Sequence, residues 1–161
     1  MIFLTVGTQF SFNRLVKAID DIVGAGLIDD EIVAQVGQNS YKPQNFTASE
    51  TLTKEIFDRH FQNATAIISH AGMGTITMAM NNNKPLLVMP RLARFKEVVN
   101  DHQLHIARNF AKQGHLLVAN NPNELKEKVI QLKTFIPRPR ETQVNQVVHR
   151  ITAFLEKLTT T

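Results

Sequence analysis

Cysteine is absent from this chain of 161 residues, which excludes a disulfide framework and a thiolate metal site and leaves no sign of an oxidising compartment. Long apolar runs are absent too, and none approaches the ~20 residues needed to cross a bilayer. The first strand candidate, Ile2 to Val6, begins beside Met1, so no secretory leader is expected and the expected location is cytoplasmic. Familiar catalytic signatures are also missing. Without G-x-G-x-x-G or G-x-x-x-x-G-K-S/T, NAD and ATP held in those ways are disfavoured. The six histidines form no H-E-x-x-H or similar pattern and no Asp-x-Asp occurs, so no metal or other cofactor is expected. A nucleophile elbow, G-x-S-x-G, is lacking, which makes a hydrolytic triad a weak candidate.

With 43% hydrophobic and 20% charged residues, the chain fits a single domain over residues 1–161, one that would bury roughly 70% of its unfolded surface. Its net charge of +4 is unevenly spread. Residues 1–83 carry five Lys/Arg against eight Asp/Glu, and residues 84–161 carry thirteen against six. The basic residues are scattered, with small clusters at Arg91, Arg94 and Lys96 and at Lys133, Arg138 and Arg140. No nucleic-acid partner is expected from such a distribution.

Periodicity gives the order of elements. Ile2 to Val6 ends at Gly7, and Leu15, Val16, Ile19, Ile22 and Val23 then recur at helical spacing up to Gly24 and Gly26. Ile32 to Val36 is a second strand candidate and Phe46 to Ala48 a brief third, while Leu52, Ile56 and Phe57 mark a short helix. Ala66 to Ser69 predicts a buried strand, with a helix resuming at Ile76, Ala79 and Met80. Leu86 to Met89 is closed by Pro90, Val98 to Gln113 predicts a long helix ended by Gly114, and Leu116 to Ala119 is the last strand. Asn121-Pro122 opens a helix through Leu125, Val129 and Leu132, with proline in the first turn where its missing N–H costs little. A final helix from about Thr142 to Leu158 puts Val144, Val147, Val148, Ile151, Leu155 and Leu158 on one stripe, for which facing the core is the ordinary expectation. Such alternation predicts an α/β, Rossmann-like, mostly parallel sheet with helices on both faces. Ligands of such sheets bind beyond the carboxyl ends of the strands.

Three polar, glycine-containing loops fall at that edge. Ser69-His70-Ala71-Gly72-Met73-Gly74-Thr75 joins a strand to a helix with small residues, so a phosphate could approach N–H groups at the helix start. The same residues also suit a tight turn that needs glycine for its backbone alone. Gly7-Thr8-Gln9-Phe10 and Gly37-Gln38-Asn39-Ser40 occupy equivalent places, which favours a nucleotide-type ligand. Asn100-Asp101-His102-Gln103 is a further polar group, in which Asn100 or Asp101 could be an N-cap and His102 a surface histidine.

Taken in order, G-T-Q-F-S-F-N-R-L at Gly7 to Leu15, I-S-H-A-G-M-G-T at Ile68 to Thr75, K-P-L-L-V-M-P-R at Lys84 to Arg91 and E-V-V-N-D-H-Q at Glu97 to Gln103 resemble one family. This is the family 28 glycosyltransferase C-terminal domain in its free-standing form. Its members include the catalytic subunit of the dolichol-linked UDP-N-acetylglucosamine transferase and, as the nearer match, bacterial subunits of exopolysaccharide and capsule synthesis. Motif agreement extends to about Ala119, and beyond it only the helix pattern agrees.

The resemblance implies a single C-terminal-type half of a GT-B enzyme. That half holds a UDP-sugar without a metal and transfers the sugar with inversion to a lipid-linked acceptor. The acceptor belongs to a separate membrane-anchored subunit, which would recruit this chain to the inner face of the membrane. By the same resemblance, Gly7, Thr8 and Gln9 would line the cleft near the diphosphate. His70, Ala71, Gly72, Gly74 and Thr75 would form the loop beneath it, with Met73 close by. Arg91 and its loop would approach the uracil or phosphate, and His102 and Gln103 would sit by the sugar. No carboxylate stands out as a catalytic base: His102, Glu97 and Asp101 are candidates because they lie in a conspicuous polar loop, unless that base lies on the partner. One position departs from the pattern: Met78 stands where related sequences usually carry a ribose-binding glutamate, a loss of about 1.5–3 kcal/mol if nothing replaces it. That departure keeps open a rival reading as a non-catalytic nucleotide-binding regulatory subunit.

Overall fold

Strands covered on both faces of a sheet must be apolar throughout, and the first strand, β1 (Ile2–Thr5), is buried at every position. The structure is a computed structural model that describes residues 1–38, 41–140 and 144–159, and their side chains except at 144–147 and 157–159. After β1 come α1 (Asn13–Gly24), β2 (Ile32–Gln35), β3 (Thr47–Ser49), α2 (Lys54–Asn63), β4 (Ala66–His70) and α3 (Met73–Asn81). The second half holds β5 (Leu86–Met89), a 3-10 turn (Ala93–Phe95), α4 (His102–Lys112), β6 (Leu117–Val118), α5 (Pro122–Leu132) and α6 (Val144–Thr159). Asn39 and Ser40 of the second polar loop, Thr142 as the expected helix start, and the Val144, Val147 and Leu158 side chains lie outside the described residues.

The sheet has the order β3-β2-β1-β4-β5-β6, and every pairing is parallel. The order in which strands are added reverses between β1 and β4, whose Phe3 and Ile67 are register partners. In a doubly wound sheet this is the switch point, where a crevice opens at the carboxyl ends of the two central strands. Alternate residues of β1 sort the helices. Leu4 packs with Leu15, Val16 and Ile19 of α1 and Leu125 and Val129 of α5. Phe3, on the other face, packs with Phe61 of α2, Ile76 of α3 and Ala107 of α4. Each such fully buried side chain contributes roughly 1.5–3 kcal/mol, so the two layers together fix the crevice.

Local signals place the helix ends. Asn121 accepts the Glu124 N–H at 3.0 Å ahead of α5, with Pro122 in the first turn as expected, a cap worth about 1 kcal/mol. Gly114, at φ +78°, stops α4 and lets the His115 N–H reach back to the Phe110 carbonyl at 3.1 Å. Asp20 of α1 is buried and latches the loop that precedes β3. It accepts from the Tyr41 hydroxyl at 2.6 Å and from the Gln44 and Asn45 N–H groups at 3.0 and 2.8 Å.

Two expectations need correction. The long helix does not begin at Val98 but at His102, because residues before it make other bonds. Asn100 Oδ1 accepts the His102 N–H, at 3.2 Å, and Asp101 accepts the Ala93 N–H, at 2.8 Å. The stripe of the last helix does not face the core either. Val148, Ile151, Phe154 and Leu155 are each more than half exposed, and α6 projects these apolar groups outward.

Candidate functional site

Helix α3 begins without a side-chain cap and with no acidic residue in its first turn. Its N-cap, Gly72, has extended backbone (φ −85°, ψ 135°), and a Cβ built on Gly74 would meet nothing within 4 Å. Among the described residues no side chain caps this helix start, which stands at the switch point with open space beside Gly74. An N-terminus so arranged favours an anion by position and by the helix dipole. Met73 is exposed, Thr75 half-buried and Ala71 buried beneath them.

His70 ties this loop to the one after β1. A Cβ on Gly72 would lie 2.2 Å from its Nε2, and one on Gly7 would lie 3.0 Å from its Cε1. The imidazole thus fills the gap between two glycines, and neither position has room for a side chain. Ser69 spends its hydroxyl proton on the Thr5 carbonyl at 2.6 Å, and its oxygen lies 3.3 Å from His70 Nδ1. The oxygen can therefore accept an Nδ1 proton, which leaves the lone pair on Nε2. Burial, with the Arg91 charge beside it, pushes the His70 pKa down to about 4, so the ring is neutral at physiological pH.

The β1 loop is held from beneath. Gly7 takes φ +75°, and its carbonyl accepts from Gln35 Nε2 at 3.0 Å, while Gln35 Oε1 accepts from Thr5 at 2.7 Å. Arg91 is only 3% exposed. Its Nη2 donates to the carbonyls of Val6 and Phe10 at 2.8 and 2.5 Å, and its guanidinium lies 5.0 Å from the centre of the Phe12 ring. Burial lowers its pKa to about 10, which leaves it charged. Arg91 thus braces the loop that carries Gly7, Thr8 and Gln9, while its buried Nε has no hydrogen-bond partner among the described residues.

Glu97 is likewise committed. Its two oxygens receive Arg14 Nε and Nη2 at 2.9 and 2.8 Å, and one also receives the Leu92 N–H at 3.0 Å. Both carboxylate oxygens are thus engaged, which gives Glu97 a positioning role at the base of its loop. Gln103 is buried and accepts the Arg91 N–H at 3.2 Å, which turns its carbonyl oxygen inward. His102 is exposed at the first position of α4, with Nδ1 2.7 Å from Asn100 Oδ1. The structure therefore brings Gly7, His70 and Gly72 together, sets Arg91, Glu97 and Gln103 behind the wall and leaves His102 at its rim. Gln35 and Arg14 are supporting residues that the sequence reading missed. A glutamine closing a buried strand was the available signal for the first, and Arg14 carried none. Among the described residues no group of three or more His, Asp or Glu could hold a metal, and no helix is long and apolar enough to cross a membrane.

A parallel doubly wound sheet with an uncapped helix start at its switch point is an architecture whose ligands bind at the carboxyl ends of the central strands. The chain belongs to the glycosyltransferase family 28 C-terminal domain family, which matches residues 1–158. It is 32% identical over 124 residues to the human UDP-N-acetylglucosamine transferase subunit ALG13, a match covering 71% of this chain and 10% of that protein. The subunit of the same name from Candida glabrata is 33% identical over 141 residues, 82% of this chain and 61% of that one. The chain thus spans about a tenth of the human relative and under two thirds of the yeast one. Among solved structures, the glycotransferase of kitacinnamycin superposes with a TM-score of 0.61 at 18% identity, over 83% of this chain and 34% of that enzyme. That likeness concerns the fold alone, which is a single C-terminal-type half of a GT-B-like glycosyltransferase.

Proposed function

We propose that this chain is the UDP-sugar-binding catalytic subunit of a two-protein inverting glycosyltransferase acting on a lipid-linked acceptor. The uncapped start of α3 at the β1–β4 switch point carries the reading. Its N–H groups and dipole would take the charge that develops on the departing diphosphate, without a metal. Gly7, Thr8, Gln9 and the His70–Thr75 loop form the donor side. Neutral His70 fills the space between Gly7 and Gly72 and so shapes the loop beneath the diphosphate.

The relatives' printed names support UDP-N-acetylglucosamine as the first donor to test. The setting in exopolysaccharide or capsule synthesis, which the motif resemblance implied, stays part of the proposal. His102, exposed at the start of α4, is the best placed of the candidates in this chain for the base, because Glu97 is bonded to Arg14 and Asp101 to the Ala93 N–H, and the partner subunit is the other source. The outward apolar stripe of α6 offers a surface on which a membrane-anchored, acceptor-binding subunit would dock, bringing this chain to the inner face of the membrane. One observation favours the rival regulatory reading: Met78 packs against the core beside Phe3 and Phe61 and supplies no carboxylate to a ribose. Transfer from labelled UDP-sugar to a polyprenyl-linked acceptor, assayed with the co-expressed partner, separates the two. Product that disappears without this chain supports the enzyme, and nucleotide binding without any transfer supports the regulator.

A further inference from the structure

The segment from Leu92 to Asp101, which follows β5 and borders the donor edge, sorts its charges by sign. Its two carboxylates are used internally. Glu97 receives Arg14 and the Leu92 N–H, and Asp101 receives the Ala93 N–H. Its remaining cations, Arg94 and Lys96, are both exposed. Between them Phe95 is 49% exposed, although its ring has the Arg14 and Arg94 guanidiniums each 4.8 Å from its centre. Val99 is 87% exposed. Phe10, also 49% exposed, sits on the neighbouring loop that Arg91 holds to this one.

We propose that this segment is a membrane-contact loop, which inserts Phe95 and Val99 at the headgroup level of an anionic bilayer while Arg94 and Lys96 meet the lipid phosphates. Phenylalanine and aliphatic side chains flanked by Lys or Arg bury at the boundary of headgroups and acyl chains, and juxtaposed basic residues add attraction to anionic lipid. Charge complementarity selects lipid as the occupant. Apart from Asn100 and Asp101, whose side chains accept backbone N–H groups, the exposed side chains of the segment are basic or apolar. The half of the chain that carries them, residues 84–161, has thirteen Lys/Arg against six Asp/Glu. The Arg14–Glu97 pair would hold the loop base rigid while its tip enters the interface. The inference rests on the donor-subunit reading for its purpose, since it would bring the donor edge to the surface where a lipid-linked acceptor lies.

The test is sedimentation of the full chain with vesicles of phosphatidylcholine alone and of phosphatidylcholine with about one third phosphatidylglycerol. Binding to the anionic vesicles only, weakened by salt, is expected. Arg94→Glu with Lys96→Glu should reduce it at least about tenfold, Phe95→Ser should also reduce it, and Val148→Ser with Ile151→Ser in α6 should leave it intact. Wild-type chain that ignores anionic vesicles would overturn the proposal. So would loop variants that bind like wild type, α6 variants that alone abolish binding, or loop variants that lose only a protein partner. Titration of the unmodified chain with UDP judges the donor reading separately. A chain that binds vesicles through this loop but binds no nucleotide leaves the membrane contact standing and removes the donor role.

Discussion

The two sides of the candidate site are built in opposite ways. On the β1–β5 side, buried side chains do the work: Arg91 holds the Val6 and Phe10 carbonyls, Arg14 grips Glu97, and the Phe12 ring lies within 5.3 Å of both guanidiniums. On the β4–α3 side the chain presents backbone, with an uncapped helix start, two glycines and one neutral imidazole. Charged groups on the first side bond mainly to protein atoms, with only the buried Arg91 Nε left without a partner among the described residues, whereas the helix start on the second side has no side-chain cap. The contrast divides the labour: one wall gives position, and the other is free to take a ligand.

Breaking the positioning wall should have the largest effect. Arg91→Met removes two charge-assisted hydrogen bonds and leaves two loop carbonyls without them, so a loss of about 4 kcal/mol in urea unfolding is expected. An effect under about 1 kcal/mol would mean the loops are held by something else. Acid comes next. His70 has a folded pKa of about 4 against an ordinary 6.5, so between those values the unfolded chain holds a proton that the folded chain does not. Its contribution, up to about 3 kcal/mol, is complete above pH 6.5 and is lost as the pH falls toward 4. Melting temperatures between pH 6.5 and 5 should fall for the wild type and stay flatter for His70→Gln, before carboxylate titration dominates.

The ligand wall is probed by Gly72→Ala, whose Cβ would meet His70 Nε2. UDP affinity should fall by about a hundredfold, or about 2.7 kcal/mol, and a second change, His70→Ala, should restore part of it by making room. No coupling between the two changes would contradict the geometry. The smallest effect belongs to Glu97→Gln, which keeps an acceptor but loses the ion pair with Arg14, at about 2 kcal/mol of stability. Transfer with the partner should stay within about threefold of wild type, since loss of a true general base costs roughly a hundredfold or more.

Much of this contrast was legible in the sequence on one side only. Glycines between an apolar run and a helical period marked the β4–α3 loop, and the strand order set it at the sheet's edge. The positioning wall was hidden because its bonds are long-range: Arg91 meets carbonyls more than 80 positions earlier in the chain, and a cation in a loop after a strand reads as ligand-facing. The early start assigned to α4 came from Val98 and Val99 continuing the apolar period. Asn100-Asp101 was the competing capping signal, and it won because its side chains bond to backbone N–H groups. For α6, periodicity revealed one apolar face but not which way it points.

The central claim is that the bare helix start at the switch point receives a uridine diphosphate. Calorimetric titration of the purified chain with UDP, and with ADP and GDP as controls, without divalent metal, tests it most directly. Saturable binding of UDP in preference to the other two, lost in Gly72→Ala, is the predicted result. No binding, or equal binding of all three nucleotides, would contradict the assignment and favour a chain that has kept the fold without the donor site.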